Sequence, residues 1–337
     1  EKSNAAIEEI CKHTNGIGVL VGAPQKNPVL EGKDLFNAAW FLYDGKVQQV
    51  VHKTLLPTYD VFDENRYFEP AYDWHTISFK GKKLAVTVCE DIWNLGDNPL
   101  YRVCPMDKLM EDSPDIMINL SASPFDYTHV EDRLAIVKAN VLKYKLPMIY
   151  CNCVGSQTEI VFDGGSVAFD ANGNLHTQLS FFKEDSAYVT VNPDGTFDGN
   201  IFQNASEVPS VELVPDTLES TLNIDQIYKA LVLGIKDYFS KMNFKQAIIA
   251  SSGGIDSAVT LALAVAALGK ENVRAVLMPS HFSTEHSVSD AVQLSKNLDN
   301  EYDIIPIKNI YDAFVNELSP IFKDLPFSVA EENIQSR

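Results

Sequence analysis

Two short stretches combine residue types that could do chemistry. The first is "SSGGIDSA", residues 251–258, set between the apolar runs "QAIIA" and "VTLALAVAAL". Gly253 and Gly254 would let the backbone take positive φ and approach a ligand without a Cβ in the way. A helix starting here would aim its N–H groups and positive dipole end at that spot, which suits pyrophosphate. Ser252 and Ser257 add hydroxyls, while Asp256 would repel a bare phosphate and points instead to a bridging Mg²⁺. The plain alternative is a tight turn with a Ser/Asp helix cap. The Gly-Lys-Ser/Thr of a P-loop and the G-x-G-x-x-G dinucleotide fingerprint are both absent.

The second stretch is "TVCEDIW", residues 87–93, with Cys89 where an apolar run ends. A thiol there is either inert packing or a nucleophile. Glu90 and Asp91 follow at once, an odd pair to bury beside a structural thiol. Upstream, "HKTLLPTYDVFDENRYF" sets Lys53 directly after a β-rich run, before a rigid Leu-Pro and a polar-aromatic loop. A lysine at a strand end is ordinarily solvated, so Lys53 by itself carries little.

The elements that must hold these residues differ between the two halves. The first two hundred residues are dense in β patterns: "GIGVLVGA", then two runs flanking Asp44-Gly45, a hairpin signal. "KKLAVTVC" (82–89) and "DIMINLSAS" (115–123) are apolar enough to be buried on both faces. Residues 131–145 have helical periodicity, and further turns are marked at Asn172-Gly173 and Asp194-Gly195. Two packed sheets with outer helices fit this mixture. Residues 206–222, with Pro209 and Pro215 and no periodicity, read as a linker. Beyond it the pattern predicts helix 223–242, strand 246–250, helix 256–268, strand 273–278, helix 286–298, strand 302–307 and helix 309–318. Strands separated by helices of that length make a parallel sheet with ligand sites at its carboxyl ends.

At 337 residues, two domains are the default. A net charge of −19, from 46 acids against 27 bases, argues against a nucleic-acid partner. The longest apolar run, around 258–268, is too short to span a membrane. Five cysteines at 11, 89, 104, 151 and 153 suggest neither a zinc site nor a disulfide framework, hence a reducing cytoplasm. "MIYCNCV" puts Cys151 and Cys153 on one strand face, expected to be buried.

With these elements in view, "SGGIDS" resembles the pyrophosphate loop of the ATP pyrophosphatases, which cleave ATP between the α and β phosphates to adenylate a substrate. Within that superfamily, residues 272–298 and the terminal "EENIQSR" resemble NAD synthetases. "TVCEDIW" and the Lys53 segment together resemble the nitrilase-type amidase domain of glutamine-dependent NAD synthetases. The resemblance covers essentially the whole chain. It implies an α/β protein: an N-terminal nitrilase-like α-β-β-α sandwich (1–205), the linker (206–222), and a doubly wound parallel-sheet, Rossmann-like domain of the adenine nucleotide α hydrolase type (223–337). It further implies that Cys89 is the nucleophile and Lys53 the oxyanion-stabilising lysine, and that Tyr59, Glu90, Ser123 and His129 contact glutamine. Ser252, Gly253, Gly254, Asp256 and Ser257 would hold ATP, with Asp256 on Mg²⁺, and Asn333 would touch deamido-NAD. The family's catalytic Glu precedes the helix "SNAAIEEICK", so no Glu base is assigned. The chain opens without an initiator Met and stops at Arg337, so truncation at both ends is expected.

The implied activity is glutamine hydrolysis coupled to ATP-dependent amidation of deamido-NAD, with small-molecule partners, no nucleic acid, no membrane and a homo-oligomeric assembly. A GMP synthetase-type amidotransferase is disfavoured because its Gly-x-Cys-x-Gly is absent. A catalytically silent nucleotide-binding module is the alternative from a different class.

Overall fold

The computed structural model describes residues 1–127, 129–198, 221–323, 326 and 328–334. Contacts divide the chain into two compact units: Glu1–Gly155 with Ile160–Asn223, and Ser156–Glu159 with Ile224–Arg337. The expected linker at 206–222 falls largely on residues 206–220, outside the described ones.

The first unit opens with α1 (Lys2–Cys11), then β1 (Val19–Lys26), β2 (Leu35–Tyr43) and β3 (Lys46–His52), an antiparallel three-stranded sheet. Asp44 and Gly45 close the β2–β3 hairpin with φ of 48° and 76°. Positive φ at both positions matches the right-handed twist of the paired strands. Next come α2 (Glu64–Tyr67), β4 (Ile77–Phe79), β5 (Lys82–Val88), a 3-10 turn at Cys89–Ile92, α3 (Pro105–Leu109), β6 (Ile116–Ser121), α4 (His129–Tyr144) and β7 (Met148–Asn152). The chain continues with the hairpin β8 (Val154–Gln157) and β9 (Ile160–Asp163), whose Ser156–Glu159 tip counts with the second unit, then β10 (Val167–Phe169) and β11 (Leu175–Gln178) of the first. The second sheet runs β11-β10-β7-β6-β5-β4, with β5, β6 and β7 parallel.

Alternation along β2 explains the layering. Ala38, Trp40 and Leu42 face α1, packing on Ile7 and Cys11. The intervening Ala39 and Phe41 meet Ile77, Val86 and Val88 of the second sheet. The far face of that sheet, through Ala85, Met117, Met148 and Tyr150, packs on Val137 and Val141 of α4. The result is the expected α-β-β-α sandwich, whose doubly covered strands are nearly continuous apolar runs. The turn at Asp194-Gly195 is flanked only by an isolated bridge, Val191 to Phe197, rather than by two strands.

The second unit contains α5 (Thr221–Lys241), β12 (Ala247–Ala250), α6 (Ile255–Leu268), β13 (Val273–Leu277), α7 (Glu285–Leu298), β14 (Glu301–Ile304), α8 (Lys308–Phe322) and α9 (Val329–Ile334). The strands form a parallel sheet, β12-β13-β14, around Leu261, Ala275 and Leu277. Among the described residues no helix is long and apolar enough to cross a membrane.

Candidate active site

Cys89 follows β5 at the first position of the 3-10 turn, with φ of 46°. A non-glycine residue in the left-handed region is strained and persists only where its surroundings over-determine it. Asn119 on β6 donates to the Cys89 carbonyl (3.3 Å) and to Thr87 Oγ1 (2.9 Å), fixing the bend from the neighbouring strand.

Lys53 is not a solvated strand-end lysine. It is 1% exposed, and its Nζ donates to Glu64 Oε1 at 2.6 Å. Burial alone would lower its pKa, but the negative groups around it, Cys89, Glu64 and Asp91, hold it above the usual lysine value. Burial pushes the Cys89 thiol up, and the Lys53 ammonium pulls it back only in part. Lys53, Glu64, Asn37 and Cys89 line one cavity of about 490 Å³, together with Cys151 and Cys153. Those two cysteines are therefore exposed rather than buried, because the end of β7 borders this opening. The five cysteines form no disulfide.

Cys89 also borders a second cavity, of about 270 Å³, lined by Tyr59, Phe62, Glu90, Trp93, Ser123 and Phe125. Glu90 is 5% exposed, and its Oε1 accepts from Tyr59 Oη (2.9 Å) and Tyr101 Oη (2.8 Å). Burial raises the Glu90 pKa, and the two phenols offset this only partly. Ser123 is held from below: its N–H donates to Asn152 Oδ1 (3.0 Å), and Asn152 Nδ2 donates to Asp163 Oδ1 (3.2 Å). Asp163 in turn takes both arms of the Arg133 guanidinium in a buried ion pair from α4. His129 opens α4, but its side chain lies outside the described residues.

In the second unit, the 251–258 loop leaves β12 and enters α6. Only Gly253 has positive φ, 84°; Gly254 is the helix N-cap with φ of −85°. A Cβ on Gly253 would sit 2.1 Å from the Ser287 carbonyl oxygen, so that glycine is required by the approach of α7. Ser252 and Ser257 bond each other (3.1 Å) and the loop backbone. Asp256 is exposed in the first turn of α6, and no cluster of three metal-ligating side chains exists among the described residues. Ser251 and Ser252 line a cavity of about 310 Å³ with Met278, Phe282 and Ile307. Asn333 lies exposed on α9 and does not line it.

A strained Cys thus stands beside a partly buried Lys–Glu pair on the α-β-β-α sandwich. Residues 5–196 match the carbon-nitrogen hydrolase family, and residues 227–337 match NAD synthase. The chain belongs to the carbon-nitrogen hydrolase family. In this chain the carbon-nitrogen hydrolase segment precedes the NAD synthase segment. A glutamine-dependent NAD(+) synthetase of Synechocystis is 39% identical over 329 residues, 95% of this chain and 56% of the relative. One from Thermotoga maritima is 32% identical, covering 98% of this chain and 59% of that protein. The solved glutamine-dependent NAD⁺ synthetase of Acinetobacter baumannii, in complex with ADP, superposes with a TM-score of 0.83 at 30% identity, covering 99% of this chain and 59% of that one. The chain thus spans a little over half the length of the curated relatives it matches.

Two residues of this candidate site escape the sequence reading. Glu64 lies eleven positions after Lys53, at the start of the one-turn helix α2, which no periodicity predicts. Tyr101 lies eleven after Glu90 in a segment rich in Asn, Asp and Pro. Signals for both existed only as an unexplained acid and an unexplained aromatic in polar loops.

Proposed function

We propose that the first unit hydrolyses glutamine and that the second supports ATP-dependent amidation of deamido-NAD, as in a glutamine-dependent NAD synthetase. The observation that carries the first half is Cys89, held at a strained turn between the Lys53–Glu64 pair and a cavity walled by Glu90, Tyr59 and Ser123. Glutamine would enter that cavity with its ammonium toward the Glu90 carboxylate and its amide carbon toward Cys89. The thiol pKa is raised, so a general base must take its proton at the moment of attack; Glu64 lines the cavity shared by Cys89 and Lys53, where it ion-pairs with the lysine. The sulfur then adds to the amide carbon, and the oxyanion is stabilised by the Lys53 ammonium. The base returns that proton to the amide nitrogen, and collapse expels ammonia and leaves a γ-glutamyl thioester, which water hydrolyses to glutamate.

In the second unit the Ser252–Ser257 loop would bind the ATP phosphates at the N-terminus of α6. Asp256 stands alone as a carboxylate on this loop, which suits Mg²⁺, an ion commonly held by one protein carboxylate plus substrate phosphates. When bound, the ion would neutralise phosphate charge. The deamido-NAD carboxylate would displace pyrophosphate from ATP, and ammonia would then attack the resulting adenylate, giving NAD and AMP. Unlinked thiols support a cytoplasmic setting.

The test uses the full-length protein with either nitrogen source. Cys89→Ala is expected to abolish glutamine-driven NAD formation and glutamate release while ammonium salts still support NAD formation. Retained glutamine-dependent rate would make Cys89 a packing residue. Absence of glutamate release from the wild type, with ATP still bound, would leave a silent nucleotide-binding module.

A further inference from the structure

Asp91 belongs to neither cavity lining, yet it is 2% exposed and accepts three backbone hydrogen bonds. Its Oδ1 takes Thr54 N (2.9 Å) and Leu55 N (2.8 Å); its Oδ2 takes Val88 N (3.0 Å). Thr54 and Leu55 are the two residues after Lys53, where β3 has ended and its ladder no longer supplies acceptors. Val88 is the residue before Cys89, where β5 ends. One side chain therefore joins the exit of the strand that delivers the ammonium to the exit of the strand that delivers the thiol. These strands lie in different sheets of the sandwich. Apolar packing sets the spacing of two sheets but is weakly directional along them, whereas three charge-assisted hydrogen bonds fix a register.

We propose that Asp91 is a positioning residue that sets the Lys53–Cys89 geometry by clamping both strand exits to a single carboxylate. The inference rests on the amidase reading above. Its direct field opposes the thiolate, since it is a negative charge near a group that must become negative. Its benefit comes through Lys53, which it keeps within reach of the sulfur. The same register would hold the ammonium where the oxyanion develops. Glu64, which ion-pairs with Lys53 from α2, orients the end of the lysine side chain but does not touch the Cys89 turn through any backbone bond.

This separation of direct and indirect effects gives the test a sign. Asp91→Asn can keep acceptance at one oxygen but presents an NH₂ group where the other strand exit offers an N–H. The clamp then loses one of its two sides. Cys89 alkylation by iodoacetamide is measured against pH in the folded protein, alongside glutamate release. Positioning predicts an upward shift of the alkylation midpoint, by about half to one pH unit, because the thiolate loses its ammonium. It also predicts a kcat for glutamine lowered by about 100-fold, a KM within about 3-fold, and an unchanged ammonium-dependent rate. Mere removal of a negative charge would shift the midpoint down, and a purely structural role would lower Tm without shifting it. Either result overturns the proposal. If wild-type alkylation behaves as described but no glutamate is released, the amidase reading fails and the clamp stands. Should Asp91→Asn not fold, the wild type carries the test through amide resonances of Thr54, Leu55 and Val88. All three are expected to titrate with one shared midpoint, near the Asp91 pKa, which burial pushes up to about 6. The surrounding titratable groups are Lys53 after β3, Glu64 on α2, and Cys89 and Glu90 in the turn. Independent midpoints for the three amides would overturn the clamp.

Discussion

Glu90 gathers two phenol hydroxyls onto one carboxylate oxygen, and this makes its charge state adjustable by a single remote residue. Tyr101 donates at 2.8 Å from a loop that otherwise does not line the cavity beside Glu90. A hydrogen bond to the charged form favours it, so removing that bond must raise the Glu90 pKa further above its already elevated position. If Glu90 receives the glutamine ammonium, only its ionised form binds well. Tyr101→Phe is therefore expected to raise the KM for glutamine several-fold near pH 6 and much less near pH 8. A KM-versus-pH profile checks this, and a pH-independent change would detach Tyr101 from Glu90. Cys89→Ala, argued above, is the companion experiment on the nucleophile.

At the level of elements, α4 is tied to the β9 turn by the Arg133–Asp163 pair, both buried. Breaking a buried pair from one side leaves an uncompensated charge, so Arg133→Met is expected to cost about 3–5 kcal/mol, read from chemical denaturation. Arg133→Met with Asp163→Leu should recover most of that stability, but with Asn152 no longer braced from Asp163 the Ser123 wall should loosen and glutamine KM should rise. The β12–α6 loop offers a second element-scale contrast. Gly253→Ala forces a left-handed alanine and a Cβ 2.1 Å from the Ser287 carbonyl oxygen, an expected loss of about 2–4 kcal/mol from strain and overpacking. Gly254→Ala, with ordinary φ and its nearest atom, Ser252 Oγ, 3.4 Å away, should cost well under half of that. Thermal melts of the two variants decide the comparison.

For the whole molecule, the Pro209- and Pro215-bearing, aperiodic segment at 206–222 predicts that limited proteolysis there yields two separately folded pieces. Each unit has a core of its own, around Met117, Val137 and Phe169 in the first and Leu261, Ala275 and Leu277 in the second. Two independent melting transitions after a single cut are expected. Simultaneous loss of both would show that the boundary is misplaced.

The sequence by itself determined the architecture and placed Cys89 where β5 ends. Doubly buried strands leave continuous apolar runs, hairpins leave Asp-Gly and Asn-Gly, and βα turns that hold anions leave glycines and hydroxyls, so β5, β6, the Asp44-Gly45 turn and the 251–258 loop could all be read locally. Cys89 and Lys53 were readable because each sits at the end of such a run. Only the tertiary structure decided which polar loop residues meet them. Glu64 reaches Lys53 and Tyr101 reaches Glu90 across loops whose paths depend on distant packing. Asp91 looked like an odd neighbour of a thiol until two strand exits from different sheets were brought to its carboxylate. Gly253 reads from the sequence as a residue for ligand approach, and the fold adds a close contact with α7 that no local pattern records. Cys151 and Cys153 were expected inside, and an opening at the end of β7 exposes them. Local periodicity reports which face of an element is buried; it carries no record of which element lies opposite.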